Sequence, residues 1–88
     1  MDRINRNILN YFKEPIPIHR SSRQNKKYII VNPQSKAVHF GDDRYEDFTQ
    51  HRDKKRQQNY LARATNIKGN WKQDTYSPNN LSIHLLWM

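Results

Sequence analysis

The stretch Leu81-Ser82-Ile83-His84-Leu85-Leu86-Trp87-Met88 is the most apolar part of a strongly polar chain, and the rest of the molecule must be arranged to cover it. Only 34% of the 88 residues are hydrophobic. A chain this short buries a smaller share of its surface than a large one, so its core is thin. Ser77-Pro78 announces the helix that carries the stretch, with Ser as N-cap and Pro at the first helical position. Over Asn79 to Trp87, Leu81 and Leu85 share a face with Met88, and Ile83, Leu86 and Trp87 lie beside it. This segment is expected in the core or in an interface.

What packs against it is readable in part. Tyr28-Ile29-Ile30-Val31 is rich in β-branched and aromatic residues and predicts a strand. Asn32 to Lys36 predicts a turn, with Pro33 pre-setting φ. Ala37-Val38-His39-Phe40 returns, and Gly41 closes the hairpin. Asp42 to Gln50 reads as an acidic loop or a short helical turn. A helix is predicted from about Asp53 to Asn66, capped by Asp53 and ended by Lys68-Gly69 with Gly in the C′ role. Tyr60, Leu61 and Ala64, with Ile67, make its core stripe. Tyr45, Phe48, Tyr60, Trp71 and Trp87 are expected to supply much of the buried area. The fold class is α+β: a small β-hairpin packed on two or three short helices, behind an extended basic N-terminal arm.

The arm is placed at 1–27 and the compact domain at 28–88. Within the arm, Ile4, Ile8, Tyr11 and Phe12 form one apolar stripe on a short helix with Asp2 as N-cap. Pro15 and Pro17 end that helix. A helix so short is marginal alone in water, so the stripe docks either on the chain's own core, the default, or on another subunit. Arg20 to Lys27 reads as a mobile linker.

Charge points to the partner. Sixteen Lys and Arg stand against eight Asp and Glu, a net +8. The arm holds seven basic and two acidic residues, leaving +5, and the remainder holds nine and six, leaving +3. Such a surplus implies a polyanionic partner, nucleic acid or an acidic protein surface. Lys54, Lys55, Arg56 and Arg63 on the second helix are candidate phosphate contacts, with Arg20, Arg23, Lys26 and Lys27 as a flexible clamp. A solvated basic face is the competing reading. No element predicts base readout.

Catalytic patterns are not expected. There is no Cys, hence no disulfide framework and no thiolate zinc site. The four histidines, His19, His39, His51 and His84, lack the helical spacing of zinc proteases. Asp42, Asp43, Glu46, Asp47, His51 and Asp53 suggest a magnesium-dependent nuclease only weakly, because acidic residues before a helix complement its dipole. Two glycines, Gly41 and Gly69, form no phosphate loop. No cofactor, metal or small-molecule substrate is expected. Asn5, Arg6, Asn7 and Asn10 interrupt any secretory signal, and the longest apolar run is too short to span a bilayer.

The set Gly41, Asp47-Phe48-Thr49, His51, Asp53, Arg56, Tyr60, Arg63, Trp71 and Leu85-Leu86-Trp87 resembles a small uncharacterised domain family encoded by large DNA viruses and some phages. The resemblance covers about Lys27 to Met88. Ala64 and the approach Tyr76 to Asn80 depart from that family's pattern. The family lends no established activity. It implies a viral setting, in the virion or in the host cytoplasm or nucleus during assembly. Two roles follow. One is a minor capsid or cement protein bridging subunits through Ile4, Ile8, Tyr11 and Phe12, or facing the packaged genome. The other is a nucleic-acid-binding accessory protein acting through phosphates. The partners are accordingly viral structural proteins, DNA or both.

Overall fold

A computed structural model describes residues 2–88, with side chains from Arg3 onward; the expected cap at Asp2 lies outside the described side chains. The elements are α1 (Asp2–Phe12), β1 (His19–Arg20), β2 (Tyr28–Val31), β3 (Ala37–Phe40), α2 (Phe48–His51), α3 (Lys54–Ala64), a 3-10 turn at Trp71–Gln73 and α4 (Pro78–Leu81). A π-helical turn, Ser82–Leu86, continues α4. The result is a small α+β fold around one antiparallel sheet in the order β1-β2-β3.

The β2–β3 hairpin forms where the turn chemistry places it. Asn32 Oδ1 accepts from the Gln34 and Lys36 amides, and Ser35 takes the left-handed conformation, φ 62°. The register pairs Tyr28 with Phe40 and Ile30 with Val38, so Ile30 and Phe40 both point inward and are fully buried. They meet Leu81, Leu85 and Leu86 of the C-terminal segment and Ile4 and Ile8 of α1 in one cluster. Ser77 caps α4 as expected, its Oγ accepting from the Asn80 amide. Gly41, φ +81°, stands where β3 meets this segment. A Cβ there would lie 2.8 Å from Leu86 Cδ1 and 3.1 Å from Lys27 Cβ, so only glycine fits the approach.

The N-terminal third packs on the rest of the chain, the default expected for its apolar stripe. Ile4 and Ile8 are buried in the chain's own core, and Tyr11 and Phe12, partly buried, pack against the same cluster. The reason is hydrogen bonding as well as area. Asn7 Nδ2 donates to the Leu85 and Met88 carbonyls, Tyr11 Oη donates to Thr75 O, and Arg3 donates to Thr49 O. The segment 20–27 is not a free linker. His19 and Arg20 add a third strand beside Tyr28 and Ile29. The turn is closed by Ser21, whose amide donates to Lys27 O and whose hydroxyl accepts from the Arg23 amide and hydrogen-bonds His39 Nδ1 at 2.6 Å.

Four smaller expectations are corrected. Gly69 is not the C′ residue: α3 ends at Ala64, and Thr65 Oγ1 and Asn66 Nδ2 donate to the Leu61 and Ala62 carbonyls, so no left-handed glycine is needed. With the helix stopped early, Ile67 leaves the core and is 53% exposed. Tyr45, on the loop before α2, is 66% exposed, and Met88 is 40% exposed.

Ile8→Ala is expected to cost about 2–5 kcal/mol in urea unfolding, while Leu9→Ala, one residue away and exposed, stays within about 0.5 kcal/mol. Equal effects would contradict the docking of α1 on its own core. His84 stacks on Tyr11 at 4.6 Å, and burial lowers its pKa from the ordinary 6.5. The folded chain then favours the neutral ring and the unfolded chain binds more protons. The stability this gives is present above pH 6.5 and is lost as pH falls through the folded value. His84→Phe keeps the stack and should flatten the acid dependence of the urea midpoint below pH 6.5.

Candidate functional site

Asp53 starts α3, its Oδ1 accepting from the Lys55 and Arg56 amides. That phase places Arg56, Asn59, Tyr60 and Arg63 on one face, at i, i+3, i+4 and i+7. Tyr60 is anchored there by Trp87: the rings stack at 4.1 Å with 8° between planes. Burial raises the Tyr60 pKa, partly offset by its hydrogen bond with Ser82. Trp87 is held in turn by Gln57, whose Nε2 donates to its carbonyl at 2.7 Å, and by His51, 5.3 Å away between centroids. His51 Nδ1 accepts from the Asp53 amide, and its buried Nε2 has no hydrogen-bonding partner. His51 therefore packs at the start of the helix.

Opposite α3 runs the loop from Gly41 to Asp47. Of its four carboxylates, Asp42 and Asp47 are ion-paired, and Asp43 and Glu46 have no ion-pair partner among the described residues. Asp47 accepts from Lys27 Nζ at 2.6 Å and caps α2 through the Thr49 amide and hydroxyl. Gln50 completes the capping box by accepting from the Asp47 amide and from Lys27 Nζ. Asp42 takes Arg44 in a two-point pair, Nε to Oδ1 at 3.0 Å and NH2 to Oδ2 at 2.8 Å. That pair holds the Asp42 pKa down at about 2. Among the described residues, no group of three His, Asp or Glu side chains is placed to hold a metal ion.

The third wall is the Trp71 turn, which is cross-braced. Trp71 Nε1 donates to Ile67 O, while Ser77 Oγ and Asn80 Nδ2 both donate to Trp71 O. Asn80 Nδ2 also reaches Asp74 O, and Asn79 Nδ2 ties α4 to Ala64 O.

These walls enclose an open groove of about 1360 Å³. Lys26, Arg56, Arg63 and Lys68 line it together with Tyr45 and Trp71. Of the basic residues that the sequence marks as candidates, the groove thus gathers Lys26, Arg56 and Arg63. Lys27 also borders it, but as a buried partner of Asp47 rather than part of a flexible clamp. Arg20, Arg23, Lys54 and Lys55 do not line it. Arg20 lies over Tyr28, and Lys54 over Phe48 at 5.3 Å from its centroid. Sequence reasoning misses Lys68, and it misses Tyr45 as an exposed ring. The heptad spacing of Arg56 and Arg63 signals a shared face, whereas Lys68 and Tyr45 reach the groove from irregular segments that have no periodicity to read.

A model of a family of unknown function, DUF5754, matches residues 16–64, more than half of the chain. The chain belongs to DUF5754. The match takes in β1, the hairpin, α2 and α3, so it reaches upstream of Lys27, where the resemblance was expected to begin. It stops short of Trp71 and Leu85-Leu86-Trp87. No curated protein and no solved structure matches the chain. The stretch common to DUF5754 therefore supplies Lys26, Tyr45, Arg56 and Arg63, while Lys68, Trp71 and Trp87 come from the segment beyond it.

Lys27→Ala should destabilise the fold by about 3–5 kcal/mol, because it strands the buried Asp47 carboxylate. Arg44→Ala, which breaks the exposed pair with Asp42, should leave the unfolding midpoint nearly unchanged. Chemical denaturation of the two variants checks the contrast.

Proposed function

We propose that the protein binds nucleic acid through phosphate contacts, without sequence preference, along the groove wall made by Arg56 and Arg63 with Lys26 and Lys68. One observation carries this reading. The four cations share one concave surface, and none has an ion-pair partner among the described residues; of the carboxylates lining it, Asp42 and Asp47 are paired and Glu46 is not, so unpaired positive groups outnumber unpaired negative ones four to one. An excess of one sign of charge in a cleft focuses the field and draws polyanions. Each phosphate neutralised releases counterions, so the affinity is salt-dependent. The viral setting implied by the resemblance belongs to the same proposal: a small basic protein seated on viral DNA, free or packaged. A role in bridging capsid subunits through α1 has less support, since Ile4 and Ile8 are committed to the core.

Affinity for DNA measured across a salt series tests the proposal. Binding should weaken steeply with salt. The double variant Arg56→Glu, Arg63→Glu should reduce the slope of log K against log salt by about 0.7–0.9 for each phosphate it leaves unneutralised. Arg20→Glu with Arg23→Glu should change it less. No measurable DNA binding at about 50 mM salt, where phosphate contacts are strong, would sink the proposal.

A further inference from the structure

The groove holds more than charge. Tyr45 is 66% exposed, on a loop fixed by the paired Asp42 and Asp47. Trp71, on the facing turn, is half-buried and its indole is tethered through Nε1. Each ring has a cation of its own beside it. The Arg44 guanidinium carbon lies 5.9 Å from the Tyr45 centroid, and Lys72 Nζ lies 5.6 Å from the Trp71 centroid. A thin core has every reason to bury a Tyr and a Trp, so an exposed Tyr45 leaves aromatic surface unused for folding.

We infer that the ligand of this groove is a single strand, with bases stacking on Tyr45 and Trp71 while phosphates meet the α3 cations. The inference rests on the proposed phosphate binding and deepens it. A duplex offers the protein phosphates and base edges, but the faces of its bases are covered by their neighbours in the stack. Only an unpaired strand presents base faces to a protein ring, and every base has such a face, so stacking adds affinity without sequence preference. Gln57 and Tyr60 hold Trp87 away from this role, since its ring is already stacked and its carbonyl bonded.

The test compares a short oligothymidylate with a short DNA duplex, using the intact chain and tryptophan fluorescence. The single strand should bind more tightly and quench Trp71 emission, and a Trp87→Phe variant should retain the quenching. Tyr45→Ala, which removes an exposed side chain, should weaken single-strand binding roughly 5- to 150-fold, the range for one stacked base. It should leave duplex binding unchanged, and Tyr45→Phe should restore most of the affinity. Circular dichroism confirms that each variant is folded. Equal affinity for strand and duplex, with the salt slope intact, overturns the single-strand inference and leaves phosphate binding standing. Unchanged strand affinity in Tyr45→Ala overturns it too. Binding of neither nucleic acid overturns both.

Discussion

The buried pair between Lys27 and Asp47 is the constraint on which the rest depends. Lys27 precedes β2, and its backbone closes the β1–β2 turn through the Ser21 amide while its own amide donates to Phe40 O. Its ammonium spans to Asp47 and Gln50, the two ends of the capping box that starts α2. One side chain therefore sets the distance between the sheet and the helical half. Burying two charges is costly, and attraction between them offsets that only when further hydrogen bonds satisfy the remaining valences. Here Thr49 and Gln50 do so. Gly41 lies beside the stem of Lys27 because no larger residue leaves room for both it and Leu86. The pair also occupies one groove carboxylate, which leaves fewer negative groups on that wall to offset the α3 cations.

Much of the fold is legible in the sequence. The hairpin, the Asp53 and Ser77 caps and the apolar C-terminal segment are local signals, and each forms where its residues indicate. The failures share a cause. Residues 20–27 look like a linker because they are polar and basic, yet their order comes from partners distant in sequence, His39 and Phe40. The α1 stripe is visible, but periodicity shows only that a face is apolar, not which surface covers it. The end of α3 is hidden because Thr65 and Asn66 satisfy its carbonyls with side chains, a solution that leaves no glycine signature.

The site is legible to a lesser degree. Composition is the basis for proposing an anionic partner but spreads the candidate residues over eight cations, of which three share the groove without being buried. Counting charge cannot distinguish Lys26 from Lys27, adjacent in sequence, when one faces a groove and the other a buried carboxylate. Nor does hydrophobicity distinguish Tyr45 from Phe48. Both read as core residues, and the loop turns one outward while the capping box seals the other in.

Asn7 on α1 and Gln57 on α3 together hold the carbonyls of Leu85, Trp87 and Met88, so opposite regions of the chain meet on one turn. Pairings this distant in sequence carry a large loop-closure cost and slow folding. The groove has no Trp87 to brace Tyr60 until that closure is complete. A ligand that bound only the closed fold would raise amide protection wherever closure is required, α1 included, although α1 does not border the groove. A strand lodged between α3 and the Trp71 turn would be felt, by hydrogen exchange, at the far side of the molecule.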